Sequence, residues 1–222
     1  MPPIPATDPT VFVFGLGGPE EEELLEAVFG SLLKRLAHKA TLKYATNTGE
    51  ALDLLKGDTI LKGILITDGT ITAEKNDIVT EQIIEYVRKG GVSVICGRFS
   101  GSVSFDGIDR FFGEKWNLPW RYSTYHRAKL YLNTAAVGLT NGDLPRSYSQ
   151  KAVYLKGVRK SASWYNPAED ESIDSDDSDT AVPEFEAAVV FKQVGNGWLG
   201  YVGDVNGVEE SDAVVLGMLG LS

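Results

Sequence analysis

The chain has 222 residues, one cysteine and two histidines. That composition excludes an intrachain disulfide and a zinc-finger-like ligand set, and leaves room for one α/β domain with a two-sided sheet. The formal charge of −10 is local, because four acids at Glu20 to Glu23 and seven between Glu169 and Asp179 account for eleven of the 31 acids and leave 20 against 21 bases. A surface so near neutral lacks the basic excess of a broad nucleic-acid-binding face.

Met1 to Pro9 has no basic region followed by an apolar run, and no stretch reaches membrane-spanning length. The expectation is a cytoplasmic protein with neither membrane nor nucleic acid among its partners. Residues 1–10 read as a flexible N-terminus and 11–222 as a single domain.

Val11-Phe12-Val13-Phe14 is a continuous apolar run closed by Gly15-Leu16-Gly17-Gly18-Pro19, the pattern of a buried parallel strand feeding a helix. Pro19 suits the first helical position and Glu20 to Glu23 the positive end of the macrodipole, while Leu25, Val28, Leu32 and Leu36 recur at helical spacing. The glycines do not make a dinucleotide fingerprint. Glu20 stands where the third glycine is needed, and four carboxylates crowd the helix start that would hold a pyrophosphate.

A second strand spans Thr41 to Ala45, followed by a short helix carrying Ala51, Leu54 and Leu55. Gly63 to Thr67 is the third strand, ending at Asp68-Gly69, but the first strand is followed by Gly15 and Leu16 rather than the acidic pair of a phosphoacceptor receiver domain. An amphipathic helix from Asn76 or Asp77 to Lys89 buries Val79, Ile83, Ile84 and Val87 and stops at Gly90-Gly91. Val92 to Ile95 follows as the fourth strand, leaving through Cys96-Gly97-Arg98-Phe99-Ser100-Gly101. This rhythm predicts a flavodoxin-like, doubly wound, mostly parallel sheet.

Ile108, Phe111 and Phe112 mark a short helix that runs into the aromatic stretch Trp116 to Arg127. Arg127 to Leu132 and Lys151 to Leu155 read as further strands. Glu169 to Asp179, within a segment at about 167–183, reads as a mobile, solvated acidic loop, with binding of a cation or a basic partner as the alternative. Glu186 to Val194 and Trp198 to Val202 flank Gly195-Asn196-Gly197 as a late antiparallel hairpin, and a helix from about Ser211 to Leu219 closes the chain.

The first strand with its glycine loop, Leu65-Ile66-Thr67-Asp68-Gly69, the elbow from Cys96 to Gly101, and Gly200-Tyr201-Val202-Gly203-Asp204-Val205-Asn206 with its closing helix follow one another in an order that resembles the class I glutamine amidotransferase-like superfamily, including its DJ-1/PfpI and ThuA-like groups. Arg127 to Asn133 is also similar to ThuA-like chains, and the run from Phe111 to Arg127 resembles fungal members. The resemblance implies a nucleophilic cysteine on the elbow, a late His-x-Glu that activates it and a glycine after the third strand that donates to an oxyanion. Gly69 matches the last of these. The late loop has Asp204 and Asn206 but no histidine.

Two registers of the elbow stay open. Aligned on Gly97-Arg98-Phe99-Ser100-Gly101, the nucleophile position holds Phe99; aligned on Val92 to Ile95, it holds Cys96. Cys96, His126 and Asp204 are the catalytic candidates. Asp68, Gly69, Arg98, Phe99, Trp120, Tyr125 and Asn206 are the binding candidates at the carboxyl ends of the strands.

No metal or other cofactor is implied. The favoured function is a catalytically degenerate amidotransferase-like domain that binds a small molecule or a protein partner. A small-molecule hydrolase or lyase using Cys96 or Asp204 with His126, and an interaction protein acting through the acidic loop, are the alternatives. A homodimer is also open.

Overall fold

The computed structural model describes residues 9–57, 61–139, 143–168 and 185–222. Residues 1–8 and the acidic run Glu169 to Asp179 therefore lie outside the described residues, while Thr10, expected in the flexible N-terminus, is the buried first residue of a strand paired on both sides. The elements in chain order are β1 (Thr10–Phe14), α1 (Pro19–Ala37), β2 (Thr41–Ala45), α2 (Thr48–Leu55), β3 (Leu61–Ile66), α3 (Asp77–Arg88) and β4 (Val92–Ile95). There follow α4 (Phe99–Ser102), α5 (Phe105–Arg110), β5 (Arg121–Leu132), β6 (Ser147–Lys156), β7 (Tyr165–Pro167), β8 (Glu186–Ala187), β9 (Val189–Val194), β10 (Gly197–Val202) and α6 (Glu209–Met218).

A six-stranded sheet has the order β2-β1-β3-β4-β10-β9, parallel throughout except for the antiparallel β9–β10 hairpin. The apolar runs determine this placement. Buried on both faces, β1 sends Phe12 and Phe14 into one cluster with Ile64, Ile66 and Ile95, and Val11 and Val13 into the other with Leu65, Val94 and Cys96. The first cluster lies under α3 and α5 and the second under α1 and α6, as a period-two strand between two helical layers requires. Within α1, Phe29 leaves helical geometry (φ −114°, ψ 19°) just before Gly30-Ser31, a pair that weakens the helical ladder.

Four strands form a second, antiparallel sheet, β7-β5-β6-β8. The spacing of apolar residues predicts a strand only from Arg127; the structure begins it at Arg121, because Arg121 to His126 carry no buried alternation to reveal a strand. The expected strand from Glu186 to Val194 is also split. Glu186–Ala187 pairs with β6 in the second sheet, and Val189–Val194 pairs with β10 in the first. The sheets are joined by backbone hydrogen bonds, Val153 N to Gly203 O at 3.0 Å and Val205 N to Lys151 O at 3.1 Å. The hairpin turn has Gly195 in the left-handed region at φ +63°, as the Gly-Asn-Gly signal implies.

Candidate functional site

The chain runs from β1 to β2 on one side and returns through β3 on the other, so the switch point of the sheet lies between β1 and β3. Asp68 fills it. One carboxylate oxygen accepts from Gly17 N at 3.0 Å and the other from Thr70 N at 2.7 Å, tying the two loops together. Burial pushes this carboxyl above its usual range, and the backbone donors pull against that shift without cancelling it. Above the loop, the Arg98 guanidinium meets Glu21 at 3.2 Å.

Beyond β4, Cys96 still donates its N–H to Ile66 O at 3.0 Å, and the chain then turns sharply into α4. The residue at the corner is Gly97, with φ +66°. A nucleophile elbow presents its reactive side chain from such a strained turn, yet a Cβ on Gly97 would stand 2.9 Å from Leu25 Cδ1 and 3.3 Å from Thr67 O.

Phe99 and Cys96, the two residues between which the sequence leaves the register open, flank this corner and are buried in different core clusters. Phe99 is fully buried against Phe111 and Phe112, with ring centroids 5.6 and 6.4 Å away. Cys96 is buried beneath α1 and α6. Burial, with the charge of Asp212 adding to it, pushes its thiol up to about 12, opposite to the shift a nucleophilic thiolate needs.

Gly69 lies beside the corner, but its N–H already donates to Ser102 Oγ at 2.8 Å. A Cβ there would meet Val103 N at 2.6 Å, so α4 is packed directly onto the amide that the resemblance assigns to an oxyanion. Ser100 is likewise engaged, its hydroxyl 3.0 Å from Tyr201 OH.

Asp204 is buried at the end of β10. Its two carboxylate oxygens accept from Asn206 N and Val208 N, both at 2.9 Å, which closes the turn into α6. Asn206 is exposed on that turn.

His126 is on β5, paired with Ala152, which in turn bridges to Asp204. Its ring stacks on Tyr154 at 4.1 Å, and its Nδ1 is 3.0 Å from Thr124 Oγ1. Because the Thr124 hydroxyl donates to Glu186 at 2.6 Å, Nδ1 is the donor to Thr124. His126 thus belongs to the second sheet, where its ring and nitrogens meet Tyr154, Thr124 and Glu186.

Trp120 packs edge-on against Phe112 at 5.1 Å within the core. Tyr125 is 46% exposed on β5 with the Lys151 ammonium 4.7 Å above its ring. The aromatic stretch therefore divides between core and surface and forms no single wall.

Cys96 and Asp204 do share one cavity, together with Gly97, Ser211 and Asp212. Its volume of about 10 Å³ is that of a single water. Asp212 has no counterpart among the sequence candidates, since an acid in the first turn of a helix signals dipole compensation and nothing about burial. Burial drives its carboxyl to about 6, while Ser31 and Arg35 pull it down, the latter at 4.0 Å.

A carboxyl raised above its unfolded value near about 4 contributes stability that is complete below that value and lost as pH rises through the folded value of about 6. Asp212→Asn is expected to flatten the fall in unfolding free energy between acid and neutral pH by about 2 kcal/mol. Urea titrations across that range measure it, and an unchanged slope would count against the buried acid.

Among the described residues no group of three or more histidine, cysteine, aspartate or glutamate side chains is arranged to hold a metal. No helix among them is long and apolar enough to cross a membrane.

No family model and no curated protein sequence matches this chain. Solved structures do. A protein described as ThuA-like from Bacteroides uniformis superposes with TM-score 0.60 at 11% identity, covering 98% of this chain and 93% of its own. A protein described as a GMP synthase component from Thermoplasma acidophilum gives 0.54 at 10% identity, over 96% and 93% of the two chains. The beta-galactosidase of Bacillus circulans gives 0.59 at 12% identity, with 96% of this chain matching 31% of that one. At such identities the likeness is one of fold alone, a flavodoxin-like one with a mostly parallel six-stranded sheet and an added antiparallel one.

Proposed function

We propose that this chain is a non-catalytic glutamine amidotransferase-like domain that acts by binding a protein partner. The observation that carries this reading is the corner after β4. Gly97 occupies the left-handed position and has no side chain to react, a Cβ there would press on Leu25 Cδ1, and the neighbouring Gly69 amide is held by Ser102. A nucleophile and an oxyanion donor are the minimum for acyl chemistry, and in this geometry both places are taken by packing.

The switch-point crevice is filled by Asp68 and covered by the Arg98–Glu21 pair. That filling favours a macromolecular partner over a small molecule seated between the loops. The same fold makes up less than a third of a beta-galactosidase chain, so it also occurs as one part of a larger protein.

Thiol labelling of the folded protein tests the reading. Cys96, buried and with its thiol raised to about 12, is expected to react with a disulfide reagent at mildly alkaline pH only as fast as the protein unfolds. Labelling faster than unfolding, or release of ammonia from glutamine that Cys96→Ala abolishes, would overturn it and restore a hydrolase or lyase built on Cys96 or Asp204 with His126.

A further inference from the structure

On β5, the ladder with β7 covers only Leu130 to Leu132, and β7 ends at Pro167. The described chain re-enters this sheet at Glu186, on the opposite edge beyond β6. Among the described residues no strand lies along the rest of that edge of β5.

The hydrogen-bond phase shows which groups the edge presents. Leu132 N donates to Arg146 O on the β6 side at 2.9 Å, and Asn133 N donates to Trp164 O on the β7 side at 2.8 Å. Alternation along an antiparallel strand then directs the N–H and C=O of Tyr125, Arg127 and Lys129 outward, past the end of β7. The side chains of these three residues are exposed. They share a face with Tyr131 and with Lys151, the partner of Arg127 across the sheet.

Three cations stand on that face, with no carboxylate beside them among the described residues of β5 and β6. Glu186 approaches this stretch of β5 from the other face, where it meets Thr124 and His126.

We propose that this edge is a docking site for an acidic, extended segment of a partner protein, added as a strand beside β5; the proposal rests on the binding-domain reading above and supplies its partner chemistry. Three outward backbone pairs give the register, and Arg127, Lys129 and Lys151 take up carboxylates from alternate residues of the incoming strand.

Charge disfavours a second copy of this chain, because two-fold pairing centred on Arg127 sets that guanidinium against itself. The rings of Tyr125 and Tyr131 each have an ammonium over one face, Lys151 at 4.7 Å and Lys129 at 5.5 Å, which competes with base stacking there.

The test titrates the full chain at low salt with a fluorescein-labelled peptide of alternating glutamate and threonine, with alternating lysine and threonine as control. The acidic peptide is expected to bind, the basic one not, and the amides of Arg127 and Lys129 to gain protection from hydrogen exchange on binding. Arg127→Pro removes one outward N–H while leaving the β6 ladder intact, and is expected to weaken binding about tenfold. Arg127→Glu with Lys129→Glu does so by charge alone, should the proline variant fail to fold.

Five results would overturn the proposal. They are no binding by the wild-type chain; equal binding by Arg127→Pro; displacement of the peptide by a single-stranded oligonucleotide; a dimer of the chain that Arg127→Pro dissociates; and binding that appears only after the acids of Glu169 to Asp179 are neutralised, which assigns the edge to the chain's own run. None of these touches the thiol experiment. A reactive Cys96 would sink the non-catalytic reading and leave the peptide measurement standing.

Discussion

Phe112→Ala is expected to lower the unfolding free energy by about 4 kcal/mol, the upper range for truncating a buried aromatic. Phe112 is fully buried, and its ring touches those of Phe99, Phe111, Trp120 and Tyr201 at centroid distances of 6.4, 5.5, 5.1 and 5.9 Å. Those partners come from α4, the π-helical turn Phe111–Lys115, the entry to β5 and β10, so one ring links the elbow to both sheets. The cavity left cannot collapse without moving four elements.

The comparison is Phe105→Ala. That ring stacks on Tyr122 at 3.8 Å but is 53% exposed, and its loss should cost about 1 kcal/mol or less. Denaturant titrations of the two variants give the contrast. A cost for Phe112→Ala no greater than that for Phe105→Ala would show that the aromatic cluster is not the keystone of the elbow.

Gly97→Ala is expected to cost about 3 kcal/mol. A non-glycine residue in the left-handed region accounts for about 1–2 kcal/mol. The rest comes from displacing Leu25, whose Cδ1 would be 2.9 Å from the new Cβ and which is itself buried on the inner face of α1. Gly101→Ala is the control, since a Cβ there meets nothing within 4 Å and its backbone is not left-handed; it should leave stability within about 0.5 kcal/mol.

The pair bears directly on function. If Gly97→Ala unfolds at the same urea concentration as Gly101→Ala, the corner has room for a side chain, and the case against chemistry at this place weakens accordingly.

The contrast between Gly97 and Cys96 also marks the limit of local pattern. The glycine spacing after β4 announces a tight elbow, and the elbow is there. Which residue stands at its corner depends on how far β4 stays paired with β3, and that pairing runs through Cys96 N to Ile66 O at 3.0 Å. No local pattern records such a pairing. Gly69 is similar: its place after β3 is legible, but the hydroxyl of Ser102 that occupies its amide comes from 33 positions along the chain.

For β5 the difficulty is of another kind. Arg121 to His126 lack an apolar face, so periodicity is silent there, and pairing with β6 together with the Tyr122 N–H donated to Asp109 at 2.7 Å holds them extended. Asp212 reads as one more acid at a helix start, yet packing of α6 against α1 buries it.

Period-two apolar runs, glycine turns and helix caps act between near neighbours, so the order of strands and helices in the main sheet, the two faces of its core and the late hairpin are all legible in the chain. Tertiary packing was needed to place Gly97 at the corner, to fill the Gly69 amide with Ser102 and to bury Asp212. These depend on contacts between residues tens of positions apart, whose free energy is set by what each group meets and not by what precedes it in the chain.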